Sequence, residues 1–199
     1  MNRWLLVAVL VLGGYSGWQH WRYRALDRAP GVLAPGEPVQ SRLAAPLVFE
    51  AKGYRIEALA QYDIRARLLS REPYRMGREA VLSPGDFALG WGMMSDSSLL
   101  QQMSVSQGNR FFYLRWQQAL PVPESQVMRH AANTHLIPAT PQVKERLDAM
   151  RPGQVVELRG YLVKVTAPDG WHWQSSLTRD DTGAGACELF WVESASVSL

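Results

Sequence analysis

Apolar and polar residues alternate along the first part of the chain that follows residue 41. Apolar side chains at positions 62, 64, 66 and 68 alternate with charged ones at 63, 65 and 67, and positions 54–58 repeat the pattern. A period of two indicates a strand with one buried face. We predict further strands at Pro46–Ala51 and Asn109–Trp116. Ser83 and Pro84 have the residue types of a helix cap and first helical position, and predict a short helix after them.

The second part of the chain mixes helical and strand patterns. Pro123–Asn133 and Thr140–Met150 predict two helices, and Gln154–Val165 is the clearest strand. Gly160 interrupts that strand and predicts a bulge or bend. Trp171–Leu177 and Ala186–Val192 predict two last strands. The expected fold class is α+β, mostly antiparallel β, in a small, partly open OB-like barrel with two inserted helices.

The N-terminal segment determines the expected location of the protein. After Arg3, the run from Trp4 to Trp18 contains no charged residue, and Trp21 and Tyr23 follow it. Aromatic residues at both ends of an apolar run are typical of a transmembrane helix, although this run is short. A cleaved signal peptide ending near Gly17 is the alternative. We expect an uncleaved, single-pass anchor in a bacterial inner membrane. A short N-terminal tail before a signal-like apolar run is typical of exported domains, so we expect the following domain on the periplasmic side.

These patterns divide the chain into three parts. Residues 1–24 form the predicted anchor, and residues 41–199 form the predicted soluble, β-rich domain. Between them, residues 25–40 are rich in proline and glycine and predict a spacer. The net charge of +3 is too small to indicate nucleic acid, and the single cysteine excludes an intramolecular disulfide.

The string Asp181-Thr182-Gly183-Ala184 is shared with the catalytic loop of aspartic proteases. That chemistry requires two such loops whose carboxylates share a proton, each following a buried apolar strand. The residues before Asp181 are polar, and the chain has no second copy of the string. We therefore interpret the segment as a glycine-rich loop between two strands.

Two histidines and the cysteine are the other candidates for chemistry. His130 and His135 are five residues apart, which does not match the spacing of four that places two zinc ligands on one helix face. We therefore predict no metal and no cofactor. If the protein is an enzyme, we expect a hydrolase with His135 as the general base, assisted by Asp181 or Cys187. For a Cys187 nucleophile, His130 is the alternative base.

Five arginines lie within 14 residues and form a candidate anion-binding group: Arg65, Arg67, Arg71, Arg75 and Arg78. Arginine with neighbouring aromatic residues suits phosphate, and an OB-like barrel could present such a surface to nucleic acid. If the domain is anchored near a membrane, anionic lipid headgroups are another candidate partner. A solvated strand face explains the same pattern without any ligand.

No motif in the chain is specific enough to name a reaction. The leading hypothesis is a non-catalytic, membrane-anchored domain that binds a ligand or a protein partner. Its predicted binding residues combine aromatic and polar side chains: Trp91, His130, Asn133, His135 and Trp171. A hydrolase and an OB-like nucleic-acid-binding domain are the alternatives.

Overall fold

The structure, a computed structural model, describes residues 3–178 and 187–198. Within these ranges the strands are β1 Val39–Ser41, β2 Leu47–Ala51, β3 Tyr54–Pro73, β4 Gly85–Gly90, β5 Met103–Gly108, β6 Phe111–Trp116, β7 Ala131–Pro138, β8 Val155–Thr166, β9 His172–Gln174 and β10 Glu188–Ser198. The α-helices are α1 Arg3–Arg22, α2 Arg78–Leu82, α3 Ser97–Leu100, α4 Glu124–Arg129 and α5 Pro141–Ala149. A short 3₁₀ helix spans Gly92–Ser95.

The described strands form one large, mostly antiparallel sheet and one separate hairpin. The large sheet has eight strands in the order β1-β3-β4-β7-β10-β8-β9, with β2 also paired to β3. The pair β7–β10 is parallel, and the other pairs are antiparallel. The separate hairpin consists of β5 and β6. This architecture confirms the α+β class with mainly antiparallel sheet and short helices.

The long strand β3 curls the sheet. Arg67–Pro73 pairs with β4, whereas Arg55–Arg67 pairs with β8 on the other edge of the strand. The register shifts twice along β3, which is typical of bulges that bend a strand. Because β1, β2 and β9 lie at the margins, the eight-stranded sheet as a whole is not a closed barrel.

Two apolar clusters cover the two faces of the curled sheet. The inner cluster includes Tyr62, Leu136, Leu158 and Phe190, and its members are at most 7% exposed. The outer cluster lies on the other face, under β2 and β9, and includes Ile137, Leu189 and Trp191 from the outer sides of β7 and β10. Leu158 is 0% exposed, so the predicted inward face of β8 is confirmed.

Gly160 has the bend that the sequence predicted. Its φ of +155° and the register shift in the facing strand, between Val192 and Ser194, mark an irregularity in the β8–β10 ladder. A Cβ atom at Gly160 would overlap the carbonyl oxygen of Trp191. Glycine is therefore required for β10 to approach β8 this closely.

The helix predictions were partly wrong. The helix at Pro141–Ala149 is confirmed, with the Thr140 side chain accepting a hydrogen bond from Val143 N as its cap. The helix predicted over Pro123–Asn133 ends at Arg129, and Ala131 begins β7. All eight residues of β7 are buried between β4 and β10. The strand therefore lacks the alternation of buried and exposed positions from which a strand is predicted.

The helix predicted after Ser83 and Pro84 is also wrong, because Gly85–Gly90 is the strand β4. The helix instead precedes Ser83, as α2. Pro84 accepts a hydrogen bond at its carbonyl from Tyr74 N, which continues the pairing of the β3 and β4 segments. Tertiary pairing has therefore overridden the local capping signal.

The N-terminal residues form the helix α1, but no helix in the described part of the chain is long and apolar enough to cross a membrane. The predicted spacer lies against the folded domain. Leu26 N donates to Pro152 O, Gly31 N donates to the Asp96 carboxylate, and Ala34 is completely buried.

Candidate functional site

A buried carboxylate on the outer face of the sheet organises the candidate site. Asp86 of β4 lies opposite His135 of β7, and its side chain is completely buried. One carboxylate oxygen, Oδ2, lies 2.9 Å from His135 Nδ1, and the other, Oδ1, lies 2.7 Å from Nη1 of Arg110. A buried carboxylate needs such partners because burial removes its hydration.

Arg110 reaches this carboxylate from the turn of the β5–β6 hairpin. Asn109 and Arg110 both have positive φ angles, 52° and 68°, as expected for a two-residue hairpin turn. The guanidinium also donates to Ser83 O at 3.0 Å and lies 3.6 Å from the Glu79 carboxylate. The turn thus ties the hairpin to the segment between α2 and β4.

Tyr74 forms the floor under Arg110. The Arg110 guanidinium lies 3.7 Å from the centre of the Tyr74 ring, and Arg110 N donates to the Tyr74 hydroxyl at 3.0 Å. Burial, together with the negative charge of Asp86, raises the pKa of Tyr74 to about 12. The hydroxyl therefore stays protonated across the physiological range.

Asn133 connects β7 to the hairpin and to Cys187. Its amide nitrogen donates to Arg110 O at 2.9 Å, and its amide oxygen accepts from Gln107 at 2.7 Å. Cys187 Sγ lies 3.8 Å from the same amide nitrogen. Beside this group, the His135 ring packs against Trp173 of β9 with 4.8 Å between ring centres.

A surface pocket of about 370 Å³ opens next to this network. Its lining comes from the connection between β3 and α2, the start of α2, the hairpin turn and the residue before β9: Tyr74, Met76, Gly77, Arg78, Glu79, Asn109, Arg110 and Trp171. Arg78 lies over the Trp171 ring at 5.3 Å and pairs with Asp169. The pocket combines aromatic walls with polar side chains.

The structure brings some of the predicted site residues together and separates others. His135, Asn133 and Cys187 belong to the network, and Trp171 lines the pocket. Trp91 and His130 contact each other at the opposite end of the β4–β7 pair, where Gly90 faces Ala131. Asp181 lies outside the described residues.

The five predicted anion-binding arginines do not form one surface. Arg65 donates to Leu33 O, Arg67 is buried against Ser95 and Ser97, and Arg71 donates to the carbonyls of Asp148 and Met150. Each of these three therefore holds a different segment of the chain. Arg78 lines the pocket described above, and Arg75 is exposed near Tyr23.

The central residues of the network were not among the predicted ones. Asp86, Arg110, Tyr74 and Trp173 were missed. Asp86 carried a usable signal, since it stands directly before the apolar run Phe87–Leu89. Where such a run is a strand buried on both faces, a charged residue at its end is buried with it and needs a partner.

In the part of the chain that the structure describes, no three histidine, cysteine or acidic side chains are grouped to hold a metal ion. No family model, curated protein or solved structure matches the chain.

Proposed function

We propose that the chain is a non-catalytic binding protein whose β-rich domain takes a segment of a protein partner in the pocket beside Arg110. The observation that supports this is the fixed position of Arg110, which Asp86 and Ser83 hold against Tyr74 in the pocket wall. Because these contacts hold the pocket wall in place before binding, less conformational entropy is lost when a partner binds.

The residue types around the pocket support a protein partner. Met76 is 91% exposed at its rim, and Trp171, Tyr74 and Arg78 line it. Methionine, aromatic residues and arginine are enriched at protein interfaces. The pocket's volume of about 370 Å³ lies at the lower end of the range of ligand-binding pockets.

Selection of displayed peptides against the wild-type protein tests this proposal. Binding of the enriched peptides should weaken at least about tenfold in Trp171→Ala and in Arg78→Ser, as expected for residues at the centre of an interface. Val48→Ala is the control, because Val48 is an exposed apolar residue on β2 outside the pocket. Peptides that bind both pocket variants as tightly as the control would refute the proposed site.

We infer that the strands β3, β4, β7, β8 and β10 form an OB-like, partly open barrel. Support comes from the pairing path β3-β4-β7-β10-β8, from the β8–β3 pairing and from the helix α5 between β7 and β8. Nucleic-acid binding, which such barrels can perform, is less favoured, because the arginines are held singly by separate segments of the chain.

A hydrolase is the second candidate function, favoured by the 2.9 Å contact between Asp86 and His135 Nδ1. The two atoms are at ion-pair distance but not in hydrogen-bond alignment in this structure. When such a contact is aligned, a carboxylate on one ring nitrogen orients the imidazole to act as a base through the other. The nucleophile would be Cys187, two residues from the β10 partner of His135. Hydrolysis of activated esters that is lost in both His135→Gln and Cys187→Ser would establish this function in place of binding alone.

We also propose that the N-terminal segment attaches the protein to a membrane, with the domain on the periplasmic side. The support is the uncharged run from Trp4 to Trp18 with its aromatic ends. Full-length protein should stay with the membrane fraction in alkaline carbonate. A soluble mature product that begins near Gly17 would instead establish a cleaved signal peptide.

A further inference from the structure

A second pocket lies where the N-terminal helix meets the domain. It has a volume of about 290 Å³ and is lined by Tyr23, Arg71, Pro73, Tyr74, Arg75, Pro84, Lys144 and Asp148. Tyr23 directly follows α1, which ends at Arg22. The pocket therefore lies within one residue of the helix end along the chain.

Several contacts hold this end of the helix on the domain. The Arg71 guanidinium lies 4.3 Å from the centre of the Tyr23 ring. Leu26 N donates to Pro152 O, and Arg28 Nε donates to Gly153 O at 2.8 Å. From the domain side, Arg151 donates to Arg24 O at 3.0 Å. These contacts fix the position of the pocket relative to the end of α1. If α1 is inserted in a membrane, the pocket therefore lies at the membrane surface where the helix ends.

The charge of the pocket is positive. Three cations, Arg71, Arg75 and Lys144, line it with one carboxylate, Asp148. Arg71 and Lys144 both pair with that carboxylate. Among the described residues, Arg75 makes no hydrogen bond or ion pair, and its side chain is exposed at the pocket. The cationic charge therefore exceeds what Asp148 neutralises.

We propose that this pocket binds the phosphate of an anionic lipid headgroup. The inference rests on the proposed membrane attachment and adds to it a specific lipid class. Cations near a membrane surface attract anionic headgroups, and an arginine can donate two hydrogen bonds to one phosphate. The aromatic ring of Tyr23 beside the cations is suited to the headgroup level of a bilayer.

The test uses the full chain in lipid nanodiscs that contain a photoactivatable phosphatidylglycerol or the matching phosphatidylcholine. Wild type should be labelled about tenfold more by the anionic probe, and Arg75→Ser/Lys144→Ser should lose most of that preference. Arg55→Ser/Arg159→Ser is the control, because it removes the same charge from exposed positions on β3 and β8 outside the pocket.

Three outcomes would overturn the proposal. Equal labelling of the pocket variant and wild type would show that the pocket takes no headgroup. An equal loss of labelling in the control would show that only net charge matters. Suppression of labelling by millimolar inorganic phosphate added before irradiation would indicate a site for free anions. Failure of wild type to remain in the nanodiscs would instead refute the membrane attachment itself, which separates the two proposals.

Discussion

Replacement of Asp86 by asparagine tests the network on which the proposed binding site depends. The side chain keeps its shape and an oxygen acceptor, but Arg110 loses its buried counter-charge. Removing one partner of a buried ion pair costs about 3–5 kcal/mol, because the remaining charge is left uncompensated.

Two features of the site reduce the expected loss of stability. The Arg110 side chain is 14% exposed, and the Glu79 carboxylate lies 3.6 Å from its Nε. Both give the guanidinium partial compensation after the substitution. We therefore expect Asp86→Asn to lower the free energy of unfolding by about 2–4 kcal/mol. For a chain of 199 residues this corresponds to a fall in Tm of about 5–15 °C.

Urea unfolding at neutral pH measures this loss, and an unchanged m-value would show that the two states remain comparable. Asp169→Asn is the matched control, since Asp169 pairs with Arg78 in an exposed ion pair. Exposed pairs contribute little, so the control should leave the unfolding midpoint nearly unchanged.

A double-mutant cycle separates the ion pair from other effects of the substitution. Arg110→Met should also destabilise the protein, and the double variant should be more stable than the sum of the two losses implies, by about 1–3 kcal/mol. A loss below about 1 kcal/mol for Asp86→Asn, or a coupling energy near zero, would refute the view that this pair holds the hairpin on the domain.

Three further predictions concern the core, the bulge and the tyrosine. Leu158→Ala should cost about 2–4 kcal/mol in denaturant unfolding, because it leaves a cavity in the inner cluster. Gly160→Ala should cost about 1–3 kcal/mol, because its Cβ overlaps Trp191 O, whereas Gly108→Ala has open space and should cost much less. The difference in ultraviolet titration between wild type and Tyr74→Phe should show one phenol with a pKa of about 12 instead of 10.0. Since that pKa is raised by folding, its contribution to stability is complete below pH 10 and is lost as the pH rises towards 12.

The elements that were predicted correctly have signals within their own sequence. The strand β8 shows alternation around Leu158, and α5 begins with Thr140 as cap and Pro141 at its first position. In these segments local propensity and tertiary structure agree, so the pattern of a short stretch of sequence is sufficient to predict the element.

The strand β7 could not be found in this way. Both of its faces are buried, one in the inner cluster through Leu136 and the other in the outer cluster through Ile137. A strand buried on both faces has no polar side to define its period, and its polar residues Asn133 and His135 resemble those of a helix surface. Only its pairing with β4 and β10 identifies it.

The candidate site could not be predicted from local sequence either, because its residues are far apart along the chain. Asp86 and Arg110 are 24 residues apart along the chain, and His135 is further away still. They meet because β4 pairs with β7 while the hairpin turn folds back over both. Physical reasoning shows that Asp86, directly before an apolar run, requires a cation if that run is a strand buried on both faces. It cannot choose Arg110 among the chain's many arginines, because that choice depends on which turn the completed sheet brings to the carboxylate.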